Sequence, residues 1–525
     1  MNPDLSNLPD DAAALKEIIA FHLAEKEKYK EKIDYLEQMV RLLQKEIFGR
    51  KSEKHILPDS EQRQLFDPIE APEPRVGKEK IVIPKHTRKK RGRKPLPADL
   101  PRVDVIHDIA EEDKQCGCGV ALSCIGQDIS EKLDYVPAKL RVIRHVRLKY
   151  ACKSCEGVED ESPTVKIAPV PVQLLPKSIA SEGLIAHLIV SKFADGLPLY
   201  RQQKIFNRMG IELSRATMAN WVVKASQQCR PLIDLLEKEI RSGPLINADE
   251  TPYQVLNEPG RHNTSKSYMW VFKGGQENSP ALLYQYHRTR SGDAALKFLK
   301  DYQGYIQSDA FSGYECLSDK KGITPVGCWA HARRYFVNVV KAKKKNRSKK
   351  IQPKSLADEA LEYIGRLYQI EKEAKANNLD PQEIYLLRQE KAQPVLTSFK
   401  TWLDAKQPIT PPKGLLGKAI GYALKHWEKL IVYIEDGRLS PDNNAAENAI
   451  RPFVIGRKNW LFAGHPNGAE AGATFYSLVE TAKANGLEPY NYLRYIFEKL
   501  PLAHTDQDYE NLLPQFVIKE DLAVT

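Results

Sequence analysis

The chain has 525 residues, long for a single hydrophobic core, so several domains are expected. Lysine and arginine outnumber aspartate and glutamate by 79 to 68, a net +11 that suits a polyanionic partner. No apolar run approaches a membrane span, and the polar opening Met-Asn-Pro-Asp-Leu-Ser does not read as a signal peptide, so a soluble intracellular protein is expected.

Residues 11–48 contain neither Gly nor Pro and read as one long helix. Leu15, His22, Tyr29, Leu36 and Leu43 recur every seven residues, as do Ile19, Lys26, Ile33, Val40 and Ile47. That is a heptad seam interrupted by His22 and Lys26, which predicts a coiled coil over 1–50 and at least a homodimer; the alternative is an amphipathic helix packed on its own protein. Residues 51–100 read as a basic flexible linker. Within it, Thr87-Arg-Lys-Lys-Arg-Gly-Arg-Lys-Pro95 offers Arg91, Arg93 and Lys94 to a narrow minor groove, although such a run is also consistent with a solvated charge cluster.

Five of the eight cysteines fall between Cys116 and Cys155, a clustering that suggests metal before disulfides. Cys116-Gly-Cys118 and Cys152-Lys-Ser-Cys155 flank a segment of β character containing Val136, Leu140, Val142, Ile143, Val146 and Leu148. Two thiol pairs can supply four sulfur ligands to a structural Zn²⁺, predicting a zinc-ribbon-like unit over 101–175, with Cys124 and His107 as spare candidates. In the helical region 176–240, Leu197–Gly210 is followed by a short turn and then by a helix that Ser214 is placed to cap. That outline fits a helix-turn-helix presenting Arg215, Thr217 and Asn220 to DNA, or a plain helical hairpin.

From 244 the pattern changes to strands at 244–256, 267–273 and 281–287, a helix at 292–300, a strand at 304–309 and the motif Cys328-Trp-Ala-His331-Ala-Arg-Arg334. This is the order of an RNase H-like core, with a first part over 241–340, a helical insertion over 341–435, a second part over 436–485 and a helical tail over 486–525. The overall expectation is multidomain α+β.

Asp249 on the first strand, Asp309 at the end of the fourth and Glu447 on a late helix are 60 and 138 residues apart. Carboxylates so placed can converge on two Mg²⁺ (or Mn²⁺) ions roughly 3.5–4 Å apart. Glu250 neighbours Asp249, but successive strand side chains face opposite ways, so Asp249 is preferred. Asn443, Glu447 and Arg451 are four apart and share a helix face, with Asn443 and Arg451 expected on DNA phosphates and Asp442 or Asn443 as the cap. Arg457 and Lys458, beside Trp460 and Phe462, are expected to hold a DNA end, and Arg333 and Arg334 to face phosphate. Cys328 and His331 are expected in packing or DNA contact.

These motifs resemble, over nearly the whole chain, transposases of the bacterial insertion sequence 66 family. The matching stretches are Phe48-Gly-Arg-Lys-Ser52, Tyr150-Ala-Cys-Lys-Ser-Cys155, Leu197-Pro-Leu-Tyr-Arg201, Ala248-Asp-Glu-Thr251, Ser308-Asp-Ala-Phe-Ser-Gly-Tyr314, Cys328–Arg334, Asn443-Asn-Ala-Ala-Glu-Asn-Ala-Ile-Arg-Pro452 and Gly456-Arg-Lys-Asn-Trp-Leu-Phe462. The resemblance implies a DDE triad at Asp249, Asp309 and Glu447, Mg²⁺-dependent DNA transposition, and accessory proteins from the same element. The single-residue spacer of the first cysteine pair departs from the commoner pattern. A catalytically inactive DNA-binding factor derived from a transposase, and a structure-selective nuclease of the same fold, are the alternatives.

Overall fold

The computed structural model describes residues 11–48, 140–151, 165–167, 169–276, 278–309, 312–317, 320–342 and 354–522. Cys116, Cys118, Cys152 and Cys155, and Arg91, Arg93 and Lys94, lie outside the described residues. The chain divides into two compact units, one formed by residues 1–68 with 171–525 and the other by 69–170. In the second unit, β1 (Lys149–Ala151) pairs antiparallel with β2 (Val165–Ile167). Residues 140–148, expected to have β character, form no strand. Their apolar side chains alternate with Arg141, Arg144, His145 and Arg147 and stay in solvent, Val142 being 89% exposed.

Helix α1 (Ala12–Phe48) runs 37 residues without a break. Its seam is largely outward: Ile19, Tyr29, Ile33, Leu36, Val40 and Leu43 are all exposed. A different stripe near its C-terminal end touches the body of the unit. Leu42 is buried, Arg41 Nε donates to the Ala342 carbonyl at 2.9 Å, and Lys418 Nζ donates to the Tyr35 hydroxyl at 2.7 Å.

The body is organised on a six-stranded sheet of β3 (Leu245–Val255), β4 (Lys266–Gln276), β5 (Ser279–His287), β6 (Gly304–Gln307), β7 (Ile323–Val326) and the short β8 (Phe462–Ala463). The order is β5-β4-β3-β6-β7, with β8 added beside β3. β3, β4 and β5 form an antiparallel meander, and β6 and β7 continue in parallel from β3. The meander follows from turn residues: Asn257 and Gly260 have φ of 55° and 72°, and Gly275 sits at 92°, a region only glycine enters freely. The expected strands agree with those observed to within a few residues, except that β6 stops at Gln307 and leaves Asp309 two residues beyond its end.

Helices α2 (Glu182–Phe193), α3 (Leu199–Arg208), α4 (Arg215–Gln228), α5 (Arg230–Ser242), α6 (Asp293–Phe298) and, later, α13 (Asn444–Trp460), α14 (Pro466–Ala484) and α15 (Pro489–Lys499) share one hydrophobic core with the sheet. The α3–α4 pair is therefore built into the sheet's own core. Along the edge strand β5, Ser477 Oγ and Thr481 Oγ1 of α14 accept from the backbone N–H groups of Tyr284 and Leu282 at 2.8 and 3.0 Å. Side chains thus satisfy an edge that would otherwise recruit another strand.

The helical region that follows β7 forms a second core. It is built from α7 (Trp329–Ala342), α8 (Leu356–Ala376), α10 (Gln393–Lys406), α11 (Leu415–Lys425) and α12 (Trp427–Ile431), with the short α9 (Pro381–Leu387) at its margin. Trp329, Phe399 and Trp427 meet at its centre, and the buried Arg388 ties it together through Glu371 and the carbonyls of Tyr433, Asp436 and Leu439. A final short helix, α16 (Asp506–Glu510), follows. Among the described residues no helix is long and apolar enough to cross a membrane.

Candidate active site

The three expected acids are brought to one end of the sheet by a ladder of buried amides. β3 and β6 pair in parallel with Asn247 opposite Gln307, and Asn247 Nδ2 donates to Gln307 Oε1 at 3.0 Å. The same nitrogen donates to Asn443 Oδ1 at 3.1 Å, while Asn443 Nδ2 donates to the Ala248 carbonyl at 2.9 Å. Gln307 Nε2 donates to the Ser440 carbonyl at 2.7 Å. Three distant segments are therefore cross-linked at one level. Asp249 follows Asn247 by two residues on the same side of β3, and Asp309 lies two residues past Gln307, beyond the end of β6. Glu447 follows one helical turn after Asn443.

The charges of Asp309 and Glu447 reach Asp249. Burial, then the Glu250 carboxylate, then those two acids push Asp249 up to about 8, against a hydrogen bond from the Glu250 backbone N–H at 2.9 Å. Glu250 is in a different position. Its carboxylate accepts from Tyr314 Oη at 2.6 Å and from Arg290 Nε at 2.7 Å, and its side chain is fully buried. Burial raises Glu250, while Tyr314 and Arg290 pull it back. Arg290 also comes within 3.9 Å of Asp309. Glu250 is thus committed to a cation and a phenol, whereas Asp249 stands as a buried acid among other acids.

On the far side, His331 Nε2 and Arg334 Nη2 of α7 lie 3.9 and 3.8 Å from Glu447 Oε1. Burial first, then Arg334, lowers the His331 pKa, against the pull of Glu447 and Asp309, and its Nδ1 is buried without a partner among the described residues. The donors near Asp249 are hard oxygens, the chemistry of Mg²⁺ or Mn²⁺. Among the described residues no three such groups are yet close enough to grip one ion. Burial of Asp249 and the nearby charges of Glu250, Asp309 and Glu447 all disfavour its ionised form, a cost a divalent cation would offset, so the oxygen donors suit one provided their carboxylates draw inward.

Two expectations are corrected. Asn443 was expected at a DNA phosphate, but it is 1% exposed and both ends of its amide are spent inside the ladder. Asn443 occupies the N-cap position without a side-chain capping bond, and Asp442 Oδ1, one residue earlier, accepts from the Asn444 N–H at 3.1 Å. Arg333 was likewise expected at phosphate; it is 8% exposed and lies beside Tyr368 within the insertion. Cys328 is buried packing, its sulfur accepting from the Asn443 N–H at 3.3 Å.

The remaining candidates keep access to solvent. Arg334 and Arg451 are partly exposed, and Lys458, Arg215 and Asn220 are exposed. Thr217 is half-buried, and its backbone N–H donates to the capping Ser214 Oγ at 3.1 Å. Arg457 is half-buried and donates to Thr251 Oγ1 at 3.2 Å. Trp460 is turned inward against Phe193 and Tyr476, with Lys192 Nζ 4.3 Å above its ring, which leaves Phe462 as the exposed aromatic of that segment.

Sequence reasoning missed Asn247, Gln307, Arg290 and Tyr314. The first two carried a usable signal, since each is an amide inside an otherwise apolar strand two residues ahead of an acid.

Comparison with known proteins bears on this arrangement. Residues 177–471 match the model described as "Transposase IS66 family". Residues 113–156 match the "zinc-finger binding domain of transposase IS66", 35–105 the "Transposase C of IS166 homeodomain" and 477–515 the "IS66 C-terminal element". Among relatives, the uncharacterized protein y4jD of Sinorhizobium fredii is 36% identical over 435 residues, covering 80% of this chain and 81% of that protein. The uncharacterized protein y4qI of the same organism is 31% identical over 521 residues, covering 96% and 92%. The chain belongs to the IS66 family of transposases.

Proposed function

We propose that this chain is an active DDE transposase that cleaves DNA at the ends of its element and joins the freed 3′-hydroxyl to target DNA. The observation that carries the reading is the amide ladder, which ties β3, the end of β6 and the start of α13 at one level, with Asp249 in β3, Asp309 just past β6 and Glu447 in the first turn of α13. The strand order, antiparallel through three strands and parallel for the next two, supports an RNase H-like core for the body. Asp249, Asp309 and Glu447 would hold divalent cations, which when bound supply Lewis acidity and activate water for displacement at phosphorus.

The protein's own groups have separate tasks. Glu250, paired with Arg290, keeps a second negative charge from adding fully to the site. Arg334 lies beside Glu447 and, partly exposed, offers its cation to the backbone of an entering strand. Arg451 and Lys458, along α13, extend that basic track. In the first step, hydrolysis breaks a P–O bond and leaves a 3′-hydroxyl. In the second, that hydroxyl attacks a target phosphodiester, the new 3′-O–P bond replaces the target's own P–O3′ bond, and the attacking group's proton passes through solvent to the departing target 3′-oxygen. No protein nucleophile is required.

In the same reading, Cys116, Cys118, Cys152 and Cys155 hold a structural zinc, Arg91, Arg93 and Lys94 track the minor groove, Arg215, Thr217 and Asn220 meet DNA, and α1 pairs two copies so that two ends can be held together. Accessory proteins of the element and a cytoplasmic, nucleoid-associated setting belong to it too.

The test is end cleavage and strand joining with Mg²⁺, comparing the wild type with Asp249→Asn, Asp309→Asn and Glu447→Gln. Each substitution is expected to abolish both steps and leave end binding intact; full activity in any one of them removes that acid from the set. End binding without cleavage by the wild type would favour an inactive DNA-binding factor.

A further inference from the structure

Between α7 and α11 lies a cavity of about 410 Å³, within the roughly 300–1,000 Å³ of small-molecule pockets. Tyr335 and Tyr422 form one wall, stacked with centroids 4.5 Å apart and ring planes 27° from parallel. Tyr335 is the outer ring and is 40% exposed. Gln407 and Thr410 supply an amide and a hydroxyl to the lining, the hydroxyl donating to the Lys406 carbonyl at 2.7 Å and so offering an acceptor, while Lys418 of the lining is turned to Tyr35.

Gly421 lies on the cavity wall. A Cβ built at this mid-helix position meets no atom within 4 Å, so nothing in the packing demands glycine there. Glycine inside a helix costs about 1 kcal/mol relative to alanine. Gly421→Ala would therefore relieve that cost without filling the cavity.

The cavity also adjoins the acids. Tyr422 lines it on one side and, on the other, a small crevice that Asp309 and Cys328 help to line. The charges of Asp309 and Arg334 both act on the Tyr422 hydroxyl. On α7, His331, Arg334 and Tyr335 share one helix face by their spacing of three and four, so the residues beside Glu447 and the outer ring of the stack are presented together.

We propose that this cavity receives one unpaired nucleobase from the DNA strand lying next to the scissile phosphate, stacked on Tyr335. The inference rests on the transposase reading, which places a phosphodiester at the acids. Given that, the group entering a pocket one residue away from Arg334 is the neighbouring nucleotide. An exposed aromatic face takes any base by stacking, an amide and a hydroxyl suit a base edge, and a base leaves its helix when the protein offers such a pocket in return.

The experiment uses the full chain, Mg²⁺ and duplexes carrying the ends of its element, in a series with one abasic site placed at each position around the cleavage point. Two variants are compared with the wild type: Tyr335→Ala, which removes the stacking face, and Gly421→Trp, which fills the cavity; Gly421→Ala controls for the helix. On intact DNA, both main variants are expected to join strands roughly tenfold less efficiently, the scale of one lost stacking contact, while Gly421→Ala retains wild-type joining. With the abasic site at one particular position, that deficit is expected to vanish, because a sugar without a base needs no pocket; elsewhere it persists. A merely structural defect would not be rescued at a single position.

Wild-type cleavage and joining with Tyr335→Ala and Gly421→Trp unimpaired, or impaired equally on every abasic substrate, would overturn the pocket and leave the transposase reading standing. If Gly421→Trp fails to fold, Tyr335→Ala carries the comparison alone. Absence of wild-type cleavage would remove the transposase reading and the pocket with it.

Discussion

Asn247 Nδ2 donates to Asn443 Oδ1 at 3.1 Å, joining the first strand of the sheet to a helix that begins 196 residues later. The bond is buried, and the second amide end of Asn443 is held by the Ala248 carbonyl. Asn443→Ala leaves a buried amide and a buried carbonyl short of partners, a loss of about 1–3 kcal/mol. We predict a lower Tm and impaired strand joining with the salt dependence of DNA binding unchanged. A flatter salt slope in this variant would instead return Asn443 to the phosphate contact expected from its sequence.

Asp249 makes the body's stability depend on pH. Its carboxyl titrates near 3.8 in the unfolded chain and is raised to about 8 in the fold, chiefly by burial and then by Glu250. Between those values the folded state binds the proton more tightly, so stability contributed there is lost as pH rises towards 8. Asp249→Asn removes the dependence. It is expected to raise Tm relative to the wild type at pH 8 in a chelator, with the advantage shrinking as pH falls towards 4. Mg²⁺ should stabilise the wild type more at pH 8 than at pH 6 and should do little for the variant. Thermal melts across this range check it, and a variant that is no more stable than the wild type at pH 8 would contradict it.

Adjacent acids are expected to behave differently. Glu250 is held by Arg290 and Tyr314, so Glu250→Gln should keep the Mg²⁺-dependent rise in Tm that Asp249→Asn loses. Arg290→Met strands the Glu250 carboxylate in the interior. The loss should be smaller than the roughly 3–5 kcal/mol of a fully buried pair, because the Arg290 side chain is 38% exposed. Denaturant melts of the three variants test this, and equal loss of Mg²⁺ stabilisation in Glu250→Gln would move the metal role onto both acids.

What the sequence disclosed, and what it withheld, follows from range. Strand and turn patterns are local, so the meander and β6 were legible to within a few residues, and alternation along β3 separated Asp249 from Glu250. The partners of those acids are not local. Arg290 reaches Glu250 across 40 residues and Tyr314 across 64, and neither sits in a pattern that names its partner. Helix periodicity places Asn443, Glu447 and Arg451 on one face but does not tell which end of that face is interior, and so it points Asn443 as well as Arg451 at DNA. The continuation of α13 through Pro452 to Trp460 was also hidden, since proline ordinarily ends such a pattern.

The seam of α1 separates self-association from attachment to the body. Leu36 and Val40 are 51% and 52% exposed, whereas Leu42 is buried and Tyr35 is engaged by Lys418, whose Nζ lies 4.1 Å above its ring. If the outward stripe pairs two copies, charges placed there must break the pairing, because a buried lysine in a seam position loses its hydration without a partner. Leu36→Lys with Val40→Lys is therefore expected to shift the chain to monomer in sedimentation equilibrium. Tyr35→Ala should leave the oligomer intact while loosening α1 from α11, seen as faster amide exchange in α1. Loss of the oligomer in Tyr35→Ala, with the double lysine variant still associated, would show that copies meet through the other stripe.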